Sequence, residues 1–182
     1  MPRYERPTRD DFPEHLRYAW DKLAEGRGGT LPNVFLSLGN NPEILRGYTR
    51  MGNALWAHCG LDTRTREIVI LRTALLRKST YEWHQHVRIG LAAGLTDAHI
   101  NALHHWGDSG LFSEDEKILL AYVDALAKND HPAQYIFDAM QHHFPQTTVA
   151  GVTALVGFYF MTALYLGAMD VETETPFVGW EV

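Results

Sequence analysis

Apolar residues recur at helical spacing along most of the chain, and almost nowhere alternate with polar ones as a half-buried strand requires. Phe12, Leu16, Ala19, Trp20 and Leu23 predict a helix from Phe12 or Pro13 to about Glu25, with Pro13 suited to its first turn and Gly26 ending it. A short apolar piece follows from Val34 to Leu38. Asn40-Asn41-Pro42 then starts a helix to about His58, whose buried side is expected to carry Ile44, Leu45, Tyr48, Met51, Leu55 and Trp56. Asp62 and Thr63 cap a helix running to Arg77 on Ile68, Leu71, Leu75 and Leu76. Ser79 opens the next, with Trp83, Val87 and Leu91 as its apolar face and Gly94 closing it. So short a break predicts a central antiparallel helix hairpin. Helices from Thr96 to Trp106, from Ser113 to Lys128 and from Tyr135 to His143 lead to Pro145, and the whole pattern predicts an all-α fold.

Val149 to Met169 passes without a charge for about the 20 residues that a membrane span needs. It lacks flanking Lys or Arg, runs into acidic Asp170-Val171-Glu172-Thr173-Glu174, and is punctuated by Gly151, Thr153, Gly157, Thr162 and Gly167. The expectation is therefore no membrane span but a helix shared between the core and an interface between copies.

Composition narrows the picture. A chain of 182 residues with 46% hydrophobic content is expected to form one domain over 1–182. Its polar arm, 1–11, docks on a neighbour or stays loose, and its irregular tail, 172–182 with Pro176, Phe177 and Trp180, lies over a neighbouring surface. A net charge of −6 without a basic run argues against a nucleic-acid partner. Cys59 is the only cysteine, so no internal disulfide forms, and MPRYERPTRDDF lacks the apolar core of a signal peptide; a reducing cytoplasm is expected. There is no phosphate loop and no nucleophile elbow, and the adjacent pairs His104-His105 and His142-His143 diverge by about 100° on a helix. No metal and no cofactor are expected.

Candidate chemistry gathers in the hairpin. Glu82 and His86 stand four apart on one helix face, whereas His84 points away from both. Glu67 lies about as far before the turn as His86 lies after it, so Glu67, Glu82 and His86 can converge. A structural reading stands beside this one: Glu82 as the third residue of a Ser79 capping box, Glu67 as a helix-dipole partner, His86 as a hydrogen-bonded core histidine. Trp56, Tyr81 and Trp83 are the aromatics placed to line a substrate pocket. Arg66, Arg72, Arg77 and Arg88 are candidates to bind a substrate carboxylate, but none falls on the Glu82–His86 face.

REIVILRTA followed by YEWHQHVRIGLAAGL resembles the core motif of the carboxymuconolactone decarboxylase family, whose other branch is the alkylhydroperoxidase D-like proteins. The match covers about a third of the chain and includes Glu67, His86 and the later Gly-Leu. In the peroxidase branch a Cys-x-x-Cys opens the second helix; here Ser79 and Glu82 occupy those positions, so thiol peroxidase chemistry is not expected. The decarboxylase-like branch resembles this chain in having Glu at the Glu82 position, while His84 stands where a small residue is more usual. The resemblance implies an alkylhydroperoxidase D-like bundle, a trimer or hexamer, and lyase chemistry of the kind used in aromatic compound catabolism on a small carboxylated lactone or carbonyl compound. The alternatives are an alkylhydroperoxidase-like, peroxiredoxin-type antioxidant oxidoreductase, disfavoured by the missing Cys-x-x-Cys, and a non-catalytic small-molecule-binding oligomer.

Overall fold

The computed structural model describes residues 2–25, 28–129 and 131–176. Among them are nine α-helices: α1 (Arg17–Ala24), α2 (Asn33–Leu38), α3 (Pro42–His58), α4 (Thr63–Arg77), α5 (Thr80–Ala92), α6 (Asp97–Ala102), α7 (Glu114–Asn129), α8 (Gln134–His143) and α9 (Gln146–Met169). Short 3-10 turns occur at Arg9–Asp11, Glu14–Leu16 and Leu103–Asp108, and the described residues contain no strand.

Helix α4 is the centre of the molecule because it is buried on nearly every side, polar Arg66, Glu67 and Thr73 included. Ile68, Val69, Ile70, Leu71 and Ala74 are fully buried, and α4 packs on α5, α7 and α9. Val69 and Ile70 meet Leu119, Val123, Val152, Leu155 and Val156, while Ile68, Leu71 and Ala74 meet Trp83, Val87, Ile100 and Leu103. Asp62 caps α4 by accepting the Thr65 N–H at 2.9 Å. At the other end Lys78 turns left-handed, with φ 50°, and the Ser79 N–H bonds the Ala74 carbonyl at 2.9 Å, which reverses the chain into α5.

Several boundaries depart from the hydrophobic pattern. The first helix is split, with a 3-10 turn from Glu14 before α1 begins at Arg17, and Gly26 lies outside the described residues. The Thr96–Trp106 prediction ends its α-helical part at Ala102 and continues as 3-10 structure broken at His105. Helix α9 begins at Gln146, because Pro145 stands at its N-cap and so starts the helix rather than merely ending the previous one. In α3 only Leu45 and Leu55 of the expected face are buried; Ile44 and Met51 are exposed, since α3 covers α9 along a narrow stripe. On α5 Leu91 is exposed and Gly90 is buried in its stead.

The N-terminal arm docks on its own chain. Arg3 N–H bonds the Met169 carbonyl at 3.0 Å, Asn40 holds the Glu5 carbonyl at 2.9 Å, and Arg6 pairs with Glu172. The tail up to Pro176 likewise lies on its own α2 and α5; Phe177 and Trp180 fall outside the described residues. Helix α9 is long and apolar enough to cross a membrane by length and composition. Its inner face is core, whereas Met161 and Leu164 are 47% and 65% exposed.

Candidate active site

The hairpin brings Glu67 and His86 into contact. Glu67 is fully buried on α4, and its Oε2 lies 2.6 Å from His86 Nδ1 across the turn. Its Oε1 accepts two hydrogen bonds from Arg66, at 3.2 and 3.1 Å. Arg66 is itself fixed, donating to the Trp56 carbonyl at 2.9 Å and lying 4.5 Å over the Trp56 ring. A carboxylate neutralised by a guanidinium is an acceptor only, so we assign the Nδ1 proton to the Glu67 bond. That leaves the Nε2 lone pair of His86 as its free end. The structural alternative for Glu67 is thus incomplete, because the group does more than sit near a helix start.

Glu82 is 2% exposed, and neither of its oxygens has a partner in ordinary hydrogen-bond geometry. Burial pushes its carboxyl up to about 8, offset only in part by Ser79 and Arg77. The capping box expected at Ser79 does not form. Its acceptor would need the Ser79 N–H, which already belongs to Ala74, so Glu82 is left to face inward.

Glu82 and His86 both line a cavity of about 630 Å³ between α1, α3, α5 and α9. Its walls are aromatic: Phe35, Tyr48, Trp56, Tyr81, Phe158 and Tyr159. Tyr48 spends its proton on Thr162 at 3.1 Å, since the Thr162 hydroxyl donates to the Phe158 carbonyl. Tyr159 differs. Its oxygen accepts the Trp56 indole N–H at 3.0 Å, and no described group accepts the phenol's own proton. The Tyr159 ring meets the His86 ring edge-on at 5.0 Å, and burial pushes its hydroxyl well above its ordinary range, so it stays a donor.

Of the predicted site residues, Trp56, Tyr81, Glu82 and His86 reach this cavity, with Glu67 directly behind His86. Trp83 does not. One position on from Glu82 rotates a side chain by about 100°, and Trp83 is buried on the far side of α5 against Ile68, Leu71 and His104. The four candidate arginines are also engaged elsewhere: Arg66 with Glu67, Arg72 with Asp124, Arg77 over Phe160, and Arg88 with His84 and Pro176. The cations that do line the cavity, Lys22, Arg46 and Arg50, come from α1 and α3. Tyr159 and these cations escaped sequence reasoning because they sit on elements remote from the hairpin. Cys59 is buried against the Gly151 backbone and does not line the cavity. Among the described residues no group of three or more His, Cys, Asp or Glu is placed to hold a metal ion.

Comparison with known proteins bears on the fold and the family. Residues 42–125, which include α3, the hairpin and both glutamates, match the model of the carboxymuconolactone decarboxylase family. No curated protein matches the chain in sequence. Among solved structures, an uncharacterised peroxidase-related protein from Ralstonia eutropha JMP134, with an alkylhydroperoxidase AhpD core, superposes with a TM-score of 0.83 at 18% identity, covering 96% of this chain and 93% of that one. One from Silicibacter sp. TM1040 gives 0.83 at 17% identity, covering 100% and 96%. A cysteine-to-alanine variant of the debrominase Bmp8, in complex with 2,3,4-tribromopyrrole, gives 0.78 at 18% identity, covering 93% and 90%. These likenesses, all at 17% or 18% identity, establish the fold, and over residues 42–125 the chain is similar to the carboxymuconolactone decarboxylase family.

Proposed function

We propose that this cavity carries out acid–base chemistry of the lyase type at a carbon conjugated to a carbonyl group, in a small carboxylated lactone or carbonyl substrate. The observation that carries the reading is one cavity holding two proton-transfer groups on one helix. Glu82 is buried, unpartnered and protonated at neutrality, while His86 presents a lone pair oriented by Glu67. In a decarboxylation the electron pair of the C–COO⁻ bond passes into the conjugated carbonyl as carbon dioxide leaves. The Tyr159 hydroxyl is suited to hold the oxygen where charge develops. Glu82 then gives its proton to carbon, and the ionised carboxylate, disfavoured by burial, is reprotonated from solvent through His86, whose Nε2 takes up a proton and passes it on. The aromatic walls suit a planar unsaturated ring; a neighbour of the same fold is held with a flat bromopyrrole.

The test is release of carbon dioxide from a panel of unsaturated lactone acids. His86→Ala and Glu67→Gln are each expected to lower turnover by ~10²–10⁴-fold in folded protein, and wild-type turnover is expected to fall as pH rises through about 8 with ionisation of Glu82. Unchanged turnover in both variants would show that the reaction lies elsewhere.

A peroxidase-type antioxidant reading follows from the names of the structural neighbours. It requires a thiolate at the cavity, and the one thiol here is Cys59, buried outside it. With hydroperoxide and a dithiol we expect no Cys59-dependent turnover; a loss of peroxidase activity in Cys59→Ser would reverse that conclusion.

A further inference from the structure

Beyond α9 the chain reverses at Asp170 and runs back over α2 and α5. Its Glu174 side chain enters a set of three donors. Oε1 accepts the Asn33 backbone N–H and the Tyr81 hydroxyl, each at 2.7 Å, and Oε2 accepts the Gln85 side-chain amide. Two of these donors, Tyr81 and Gln85, also line the cavity of His86 and Glu82, as do Pro32 and Val34 on either side of Asn33. The tail therefore sets a carboxylate against two side chains of the cavity wall.

The donors are built into the fold more firmly than the tail they hold. Tyr81 is 6% exposed, and its oxygen accepts the Val34 N–H at 3.2 Å, so the hydroxyl keeps its aim without Glu174. No side chain from Glu172 to Pro176 is buried, and the other tail contacts include polar ones from Asn33 to the Glu172 carbonyl, from Arg6 to the Glu172 side chain, from His84 to the Glu174 backbone and from Arg88 to the Pro176 carbonyl. If the tail left, donors bordering the cavity would lose their acceptor, and a second carboxylate would satisfy them. Lys22 and Arg50 on the same cavity bias it toward anions, whereas Arg46 is paired with Glu43.

We propose that Asn33 N–H, the Tyr81 hydroxyl and the Gln85 amide form a carboxylate subsite of the cavity, held by the chain's own Glu174 until a carboxylated ligand displaces it. The inference concerns binding alone and stands independently of proton transfer at His86. Calorimetric titration of the full chain with benzoate, and with neutral benzamide as control, tests it. Glu174→Ala should bind benzoate roughly tenfold or more tightly than wild type, the effect of a charge-assisted hydrogen bond, with no gain for benzamide. Adding Tyr81→Phe should cancel the gain. Glu174→Gln, which keeps the tail's shape but not its charge, should give a smaller gain of the same sign and decides the matter if the alanine variant does not fold. Equal benzoate affinity in wild type and the Glu174 variants would overturn the proposal, as would an equal gain for benzamide or a gain that survives Tyr81→Phe.

Discussion

A carboxyl group without a hydrogen-bond partner is tolerated in an aromatic cavity while it keeps its proton, and this makes Glu82 a stability element as well as a candidate acid. Its folded-state pKa of about 8 lies above the ordinary 4.5, so between those values the folded chain holds a proton that the unfolded chain has released. The contribution of protonated Glu82 is complete below about 4.5 and is lost as pH rises to about 8, with no further change above. Glu82→Gln keeps the shape and removes the ionisation. Thermal unfolding followed across that interval should show wild type losing stability relative to the variant, by on the order of a few kcal/mol. A wild-type-minus-variant difference that is flat with pH would mean that Glu82 is hydrated in solution.

At the scale of the element, two Ser-x-x-Glu sequences with the same local signature come to different ends. Ser113 and Glu116 form the reciprocal box, with the Glu116 carboxylate accepting the Ser113 N–H at 2.8 Å and the Ser113 hydroxyl accepting the Glu116 N–H at 3.2 Å. Ser79 and Glu82 do not, because the hairpin turn has already used the Ser79 N–H. The motif is readable in either sequence; which hydrogen bond wins is decided by the helix on the other side of the turn. Packing of α9 against the end of α3 is a second element-level constraint. A Cβ on Gly151 would meet backbone atoms of Cys59 at 2.6 to 2.9 Å, whereas one on Gly157 has open space. Gly151→Ala should therefore cost ~1–3 kcal/mol in urea unfolding, while Gly157→Ala should be neutral or stabilising by up to ~1 kcal/mol through helix propensity. Equal stability of the two variants would contradict the close approach of α3 and α9.

For the whole molecule, several large apolar residues not absorbed by the core lie on the long helices. Met161 and Leu164 on α9, with Ile44 and Met51 on α3, are exposed in the single chain. Exposed side chains of this size on an otherwise apolar helix favour association, and we expect a homo-oligomer, a trimer or hexamer as the family resemblance implies. Light scattering should return a multiple of the 20.7 kDa chain mass, and Leu164→Glu should shift it toward monomer. A wild-type monomer at micromolar concentration would exclude this assembly.

Helical periodicity and cap residues were enough to predict an all-α chain, the α4–α5 hairpin and the meeting of Glu67 with His86, because each depends on spacing along one or two adjacent elements. Glu82 on the His86 face was legible for the same reason. The tertiary structure alone decided what requires distant elements to meet: Tyr159 and the cations of α1 and α3 around the cavity, Trp83 turned into the core, the arm and tail folded onto their own chain, and Glu174 set among donors of α2 and α5. Local patterns specify which face of a helix is apolar, but not which of several apolar surfaces covers it, and at this site that choice determines which side chains share the cavity.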